Sequence, residues 1–256
     1  MRRTLSVSPI GACIFFAYSF LYYPILNSWS VLWSVLLGLS VFTLHMIGGY
    51  LLASKLHHQE WGEFVRGAII GLNAGANAMI IGMVLGNWWI AFGIGIIALL
   101  SSSYYVSRSR YYHSFMGWLN WLLPMSWPVN AIGLIWMLIN LLFSLLVAPL
   151  GIPAWKIRLG FEPKTCTITV YGGCLRPFPG FTACNMGNIV FFNPGGEYLL
   201  LHEIGHLLSL SVMGFVFHYV GGIDESYFQR NYWEAYAEYL ADSYNHPTDL
   251  NSSMWR

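Results

Sequence analysis

Between residues 1 and 150 the chain carries two acidic side chains, Glu60 and Glu63, and the other nine acids lie after residue 150. The acid-poor part is a series of apolar runs. Over the whole chain 56% of residues are hydrophobic and 9% charged, against a charged share of about 25% in soluble domains. So few charges cannot cover a water-facing surface, and a membrane protein is the natural reading. The net charge of +1 leaves no basic excess for nucleic acid. The shift in composition near Pro149 and Pro153 divides the chain. Residues 1–150 read as a transmembrane helical domain and residues 151–256 as a smaller, more polar one.

A helix needs about 20 mostly apolar residues to cross the hydrocarbon core. Ile10–Leu26, Leu32–Ala53, Gly67–Leu85, Trp88–Leu100 and Val129–Leu150 are the candidate spans. Phe115–Trp127 is shorter, is broken by Pro124, and reads as a re-entrant piece or half of a kinked pair. The expectation is a multi-pass α-helical membrane domain of five or six spans in a bacterial-type plasma membrane, with the lipid bilayer as its first partner. Basic residues favour the cytoplasmic side. Arg2, Arg3, Lys55, Arg66, Arg108 and Arg110 put the N-terminus and the second and fourth loops inside. Five spans then leave the polar domain outside and six leave it inside; Lys156, Arg158 and Lys164 favour inside. Gly71, Asn73, Gly75 and Asn77 have the small-residue spacing that lets helices approach closely, which favours packing over a transport path. No acid lies within a span, which argues against an ion-coupled transporter. His45 stands alone in its span and reads as an interhelical donor.

The polar domain alternates strand and helix signals. Thr165–Tyr171 is β-branched and alternating, and Asn188–Phe192 is a second short strand. Helices are expected from Glu197 to about Val216 and over Asn231–Tyr244, the latter ended by His246-Pro247. Cys13, Cys166, Cys174 and Cys184 form no C-x-x-C pair, so a cysteine zinc site is not expected.

The run LLLHEIGHLL at 199–208 sets His202, Glu203 and His206 in oily sequence. Residues four apart share a helix face. His202 and His206 can therefore present two ring nitrogens to one Zn²⁺, with Glu203 placed to take a proton from a water there. Burying these groups without partners would cost several kcal/mol, roughly; a metal uses all of them. A catalytic zinc takes three protein ligands. The next helix, NYWEAYAEYLADSY, carries Glu234, Glu238 and Asp242 at four-residue spacing with no Lys or Arg between residues 231 and 244. Like charges on one face repel unless a cation lies nearby, so the third ligand is sought in this stripe.

HEIGH on a helix, preceded by a strand and followed by Glu238-Tyr239-Leu240-Ala241-Asp242, resembles the glutamate-zincin metallopeptidases, and the E-Y-x-A-D segment resembles the CaaX prenyl protease-like membrane peptidases. The resemblance spans about 80 residues, from Asn188 to Asp242, and not the membrane half. It implies a small α+β zincin-like domain binding one Zn²⁺ through His202, His206 and Glu238, with Asp242 orienting a ligand histidine. Glu234 is the alternative third ligand, since Glu234-x-x-Ala237-Glu238 is a second E-x-x-A pattern. It also implies that a substrate peptide adds as a strand beside Ile189–Phe192. His218, Tyr227, Arg230 and Tyr232 are candidates to stabilise the tetrahedral intermediate, and His218 ranks below the glutamates as a ligand because a continuous helix carries it off the ligand face.

The expected function is a membrane-bound zinc metalloendopeptidase with Glu203 as general base, acting on a peptide or protein substrate. Two rivals stand beside it. One is a site-2-type intramembrane protease, with Leu199–Val220 as a span; that class takes an Asp from another membrane helix, and residues 10–150 contain none. The other is a non-enzymatic membrane protein with a structural zinc, which would have no need of Glu203.

Overall fold

The computed structural model describes residues 60–87, 110–151, 156–175, 181–228 and 232–245, with Leu44, Ile47, Trp89, Ile90, Gly93 and Ile96 besides. The described chain is a set of helices around a small four-stranded sheet. In chain order the elements are α1 (Glu60–Leu85), α2 (Arg110–Leu119), a 3₁₀ turn (Pro124–Ser126), α3 (Trp127–Val147), β1 (Ile157–Glu162), β2 (Thr167–Gly172), β3 (Ala183–Met186), β4 (Ile189–Phe192), α4 (Leu200–Phe228) and α5 (Tyr232–Asn245).

The sheet runs β1-β2-β4-β3. β1 and β2 form a hairpin, β2 and β4 pair in parallel with Ile168 opposite Ile189, and β3 returns antiparallel on β4 with Met186 opposite Ile189. β4 (IVFF) is buried along its whole length. Ile189 and Phe191 meet Val129 and Met137 of α3 and Leu210 of α4, while Val190 and Phe192 join Ala183 and the start of α4 at Leu199 and Leu200. The expected strands at Thr165–Tyr171 and Asn188–Phe192 are thus present as β2 and β4. The expected edge is corrected: Ile189–Phe192 lies inside the sheet, and the edge beside α4 is β3. A four-residue ACNM strand holds its place by pairing with β4 rather than by its own propensity.

The core does not respect the division at residue 150. Ile69, Ile70, Ala74 and Ala78 of α1 and Met116 of α2 pack with Ile204, Leu208, Val212 and Phe217 of α4 and with Tyr236 and Leu240 of α5. The sequence stretches assigned to a membrane domain and to a smaller, more polar domain therefore share one apolar cluster.

Of the five or six expected spans, the described residues hold only part. Ile10–Leu26 lies outside the described residues, and Leu32–Ala53 and Trp88–Leu100 lie almost wholly outside them. Phe115–Trp127 is no span: α2 ends at Leu119 and the chain turns through Pro124–Ser126. Among the described residues two helices are long and apolar enough to cross a membrane, Pro124–Leu150 and Glu197–Ile223, and they differ in surroundings. The most apolar part of the first is 22% buried in the protein and that of the second 72%. An apolar run reports that a helix avoids water. It does not say whether lipid or protein surrounds it.

α3 has its polar groups on the inside. Ile132, Ile135, Leu138, Leu142 and Leu146 are exposed, whereas Asn130, Asn140 and Ser144 are buried. Asn140 accepts from the Leu175 N–H at 2.9 Å and donates to the Gly172 carbonyl at 3.3 Å. Ser144 accepts from the Cys174 N–H at 3.2 Å. Cys166 and Cys174 are free thiols.

Asn188, fully buried, ties these layers together. Its side-chain N–H groups donate to the carbonyls of Gly117 at 3.0 Å and Cys166 at 3.1 Å, its side-chain oxygen accepts from Asn120 at 2.7 Å, and its backbone N–H donates to Asn130 at 2.7 Å. A buried hydrogen-bonding group left without a partner costs about 1–3 kcal/mol. Asn188→Ala strands three of them, so denaturant unfolding of the purified protein is expected to show a loss of about 3–5 kcal/mol. Wild-type stability in this variant would mean that the network holds nothing together.

Candidate metal centre

α4 begins where Asn193-Pro194-Gly195-Gly196 turns the chain out of β4. The Gly196 N–H bonds the Asn193 carbonyl at 2.9 Å and a 3₁₀ turn at Glu197–Leu199 feeds the helix. Ile204, Leu207, Leu208, Leu210 and Val212 are buried and hold the helix in the core. On this frame the four-residue spacing brings the Nε2 atoms of His202 and His206 to 3.0 Å from each other. Glu203, on the same turn, is also buried, at 4% exposure.

α5 supplies the third group. Its two glutamates share a face and do different things. Glu234 lies 3.0 Å from His202 Nε2 through one carboxylate oxygen and 3.2 Å from His206 Nε2 through the other. Glu238 is instead 2.7 Å from His202 Nδ1, on the opposite side of that ring, and its side chain is 62% exposed. The geometry therefore favours the alternative, Glu234, over Glu238 as third ligand, because the register of α5 on α4 brings the earlier glutamate to the Nε2 atoms. Glu238 takes the orienting place expected of Asp242. The Asp242 side chain lies outside the described residues, as do those of Tyr227 and Tyr232 and all of Arg230.

Burial alone would raise the Glu234 carboxyl's pKa, but its hydrogen bonds with His202 and His206 override this and hold the group well below the ordinary carboxylate range. It is ionised at neutral pH. Two imidazole nitrogens and a carboxylate converging this tightly call for a cation or a shared proton. Zinc held at about 2.0–2.1 Å by nitrogen and oxygen ligands in tetrahedral geometry keeps those ligand atoms about 3.3 Å apart, close to the 3.0–3.2 Å separations here. Among the described residues His202, His206 and Glu234 form a group that can hold a metal ion.

Close helix packing makes this reach possible. A Cβ on Gly205 would overlap the backbone carbonyl of Ala237, and one on Gly221 would overlap the Trp233 ring. α5 thus lies against backbone, not side chains, at both places. The fourth residue of HEIGH, Gly205 next to His206, is a glycine for this reason.

Three further residues surround the centre. Trp233 stacks on His206 with ring centroids 3.9 Å apart, and His218 meets the Trp233 ring edge-on at 5.1 Å. His218 is buried with its ring 6.4 Å from that of His206. Its low rank assumed a continuous helix, and α4 is broken at Gly214. Asn185 of β3 was not singled out from sequence; its side-chain N–H groups donate to the Glu203 carbonyl at 3.1 Å and the Gly187 carbonyl at 2.8 Å, joining the sheet edge to the HEIGH turn. Only pairing across β3 and β4 brings Asn185 here, and no local motif marks it.

Removing Glu234 should therefore cost far more metal affinity than removing Glu238. In chelator competition Glu238→Ala is expected to bind zinc about 10–100-fold more weakly than wild type, the usual cost of losing a group that orients a ligand, and Glu234→Ala more weakly still. The opposite order would return Glu238 to the ligand set. Compared with protein-family models, with curated proteins and with solved structures, the chain matches none.

Proposed function

We propose that this chain is a membrane-associated zinc metallopeptidase of zincin type. The observation that carries the reading is the convergence of His202, His206 and Glu234 within hydrogen-bond distance of one another, with Glu203 buried on the turn between the two histidines. His202, His206 and Glu234 would hold the ion. Zinc in such a site supplies Lewis acidity, making water acidic near neutral pH and polarising a carbonyl oxygen.

The protein's own groups do the rest. Glu203 takes the proton from the attacking water and later delivers it to the leaving amine. Glu238 accepts a hydrogen bond from His202 Nδ1, so that Nε2, which faces Glu234 and His206, would be the ring nitrogen left to hold the ion. Asn185 fixes the turn that carries Glu203 relative to β3. A substrate chain adding beside β3, the sheet edge next to α4, would run past this turn. Trp233 and the buried His206 close the inner side of the site against water.

The membrane part of the reading is supported by α3. A water-soluble helix does not keep asparagines inside and leucines outside. The 21 residues of α3 reach about 31 Å, the thickness of the hydrocarbon core. A second reading, cleavage within the bilayer, draws on the apolar character of Glu197–Ile223, which carries the site, although the break at Gly214 keeps it from being one straight span. Cleavage of soluble unfolded peptides would set that reading aside, and cleavage restricted to membrane-embedded substrates would favour it.

The test is Glu203→Gln. It should keep one zinc per chain while hydrolysis of a peptide library falls by about 10²–10⁴-fold, the usual contribution of a general base. Undiminished hydrolysis would remove Glu203 from the mechanism. Zinc binding without hydrolysis in wild type on any substrate would turn the site into a structural one.

A further inference from the structure

α4 is not one helix. Gly214 has φ 80° and ψ 171°, a backbone conformation that residues with a Cβ avoid. In an unbroken helix His206 and His218, twelve residues apart, would be separated by about 18 Å along the axis. Their rings are 6.4 Å apart. The helix therefore folds back after Met213, and this reversal seats His218 and the Gly221 turn against Trp233 and, through it, against His206.

A break of this kind strips hydrogen bonds from the turn before it. The Ser211 and Val212 carbonyls stand among the last before the break, where a helix runs short of N–H groups four residues on. Both are bonded instead by one side chain from α1: Asn73 Nδ2 donates to the Val212 carbonyl at 2.9 Å and to the Ser211 carbonyl at 3.2 Å. The orientation of that carboxamide is fixed from behind. Asn77 Nδ2 donates to the Asn73 backbone oxygen at 3.0 Å and to its Oδ1 at 3.3 Å, and Asn77 Oδ1 accepts from the Met125 N–H at 2.9 Å. The Asn77 donor on its oxygen fixes which end of the Asn73 carboxamide turns its N–H groups to the Ser211 and Val212 carbonyls. Its Oδ1 also lies where a Cβ on residue 214 would sit, 2.5 Å away. The fit is therefore mutual: a glycine at the break and an asparagine facing it.

We propose that Asn73 is a positioning residue for the metal centre, holding α4 broken at Gly214 so that the folded-back half seats His218 and Trp233 behind His206. The inference rests on the reading of His202, His206 and Glu234 as metal ligands. Asn73 touches none of them; it acts through the path of the helix. Loss of its two donors leaves the last carbonyls of the HEIGH-bearing segment to recover partners by straightening, which draws His218 and Trp233 away and frees the His206 ring.

The experiment measures two quantities in Asn73→Ala. One is zinc affinity by chelator competition. The other is the rate at which diethyl pyrocarbonate modifies His218, read by mass spectrometry in the full chain. Zinc should bind about tenfold or more weakly, as when a group orienting a ligand is lost, and His218, slow to react in wild type, should become reactive. Asn140→Ala is the control, because Asn140 bonds the Gly172 and Leu175 backbone and not α4. It should leave both readouts at wild-type values. Equal losses in Asn140→Ala would show a merely structural role and overturn the proposal, as would wild-type affinity and labelling in Asn73→Ala. If Asn73→Ala does not fold, Asn73→Ser takes its place. Wild type alone also decides the geometry: His218 reacting as fast as free histidine would overturn the folded-back arrangement. A wild-type chain that binds no zinc would overturn the reading of the metal centre, and the labelling contrast would still judge the break.

Discussion

The convergence of His202, His206 and Glu234 depends on how closely α5 lies on α4. Backbone meets backbone at Gly205 and Ala237, and a ring lies flush on backbone at Gly221 and Trp233. Helices held apart by ordinary side chains keep their axes about 8–10 Å apart, and a glutamate from the second helix would then have to stretch to reach two histidines on the first. Here Glu234 spans both Nε2 atoms with its two oxygens. The apolar cluster of Ile204, Leu208, Tyr236 and Leu240 supplies the burial that keeps the helices together. The glycines supply the nearness.

A second constraint runs through the rest of the molecule. The core is oily, yet Asn73, Asn77, Asn120, Asn130, Asn140 and Asn188 are all buried in it. Asn120 bonds the Asn188 and Ser126 side chains, and each of the others bonds a backbone group at a helix break, a turn or the end of an element. Unpaired, such groups are costly in a low-dielectric interior. Asparagine serves because it offers two donors and an acceptor on a short stem. This is how a chain so poor in charge fixes the relative placement of α1, α3, the sheet and α4: with neutral amides that remain compatible with an apolar environment on the outer face of α3.

Parts of this arrangement were legible in residue order and parts were not. β2 and β4 announce themselves through TITV and IVFF. β1 carries a glycine and two charges in IRLGFE, and β3 is only ACNM; both exist because a stronger strand pairs with them. The two apolar stretches Val129–Leu150 and Leu199–Val220 look alike in sequence, and in the fold one presents its apolar face outward while the other is enclosed. Gly214 was readable only as a glycine in a helical run, tolerable there or not. Its break is decided by Asn73, 141 positions earlier in the chain, and that break is why His218 lies beside the centre.

The sequence by itself determined the HEIGH pair. Four-residue spacing on a helix is local geometry, so His202 and His206 share a face whatever the rest of the chain does, and Glu203 lies between them. It also pointed to the acidic stripe as the partner of the two histidines, because like charges on one face repel unless a cation lies nearby. It did not choose between Glu234 and Glu238. The two are one helical turn apart on one face of α5, about 5.4 Å along its axis, and nothing local distinguishes them. Only the tertiary structure decided: the register in which Ala237 seats on Gly205 and Trp233 on Gly221 slides α5 so that Glu234 meets the Nε2 atoms and Glu238 falls on Nδ1.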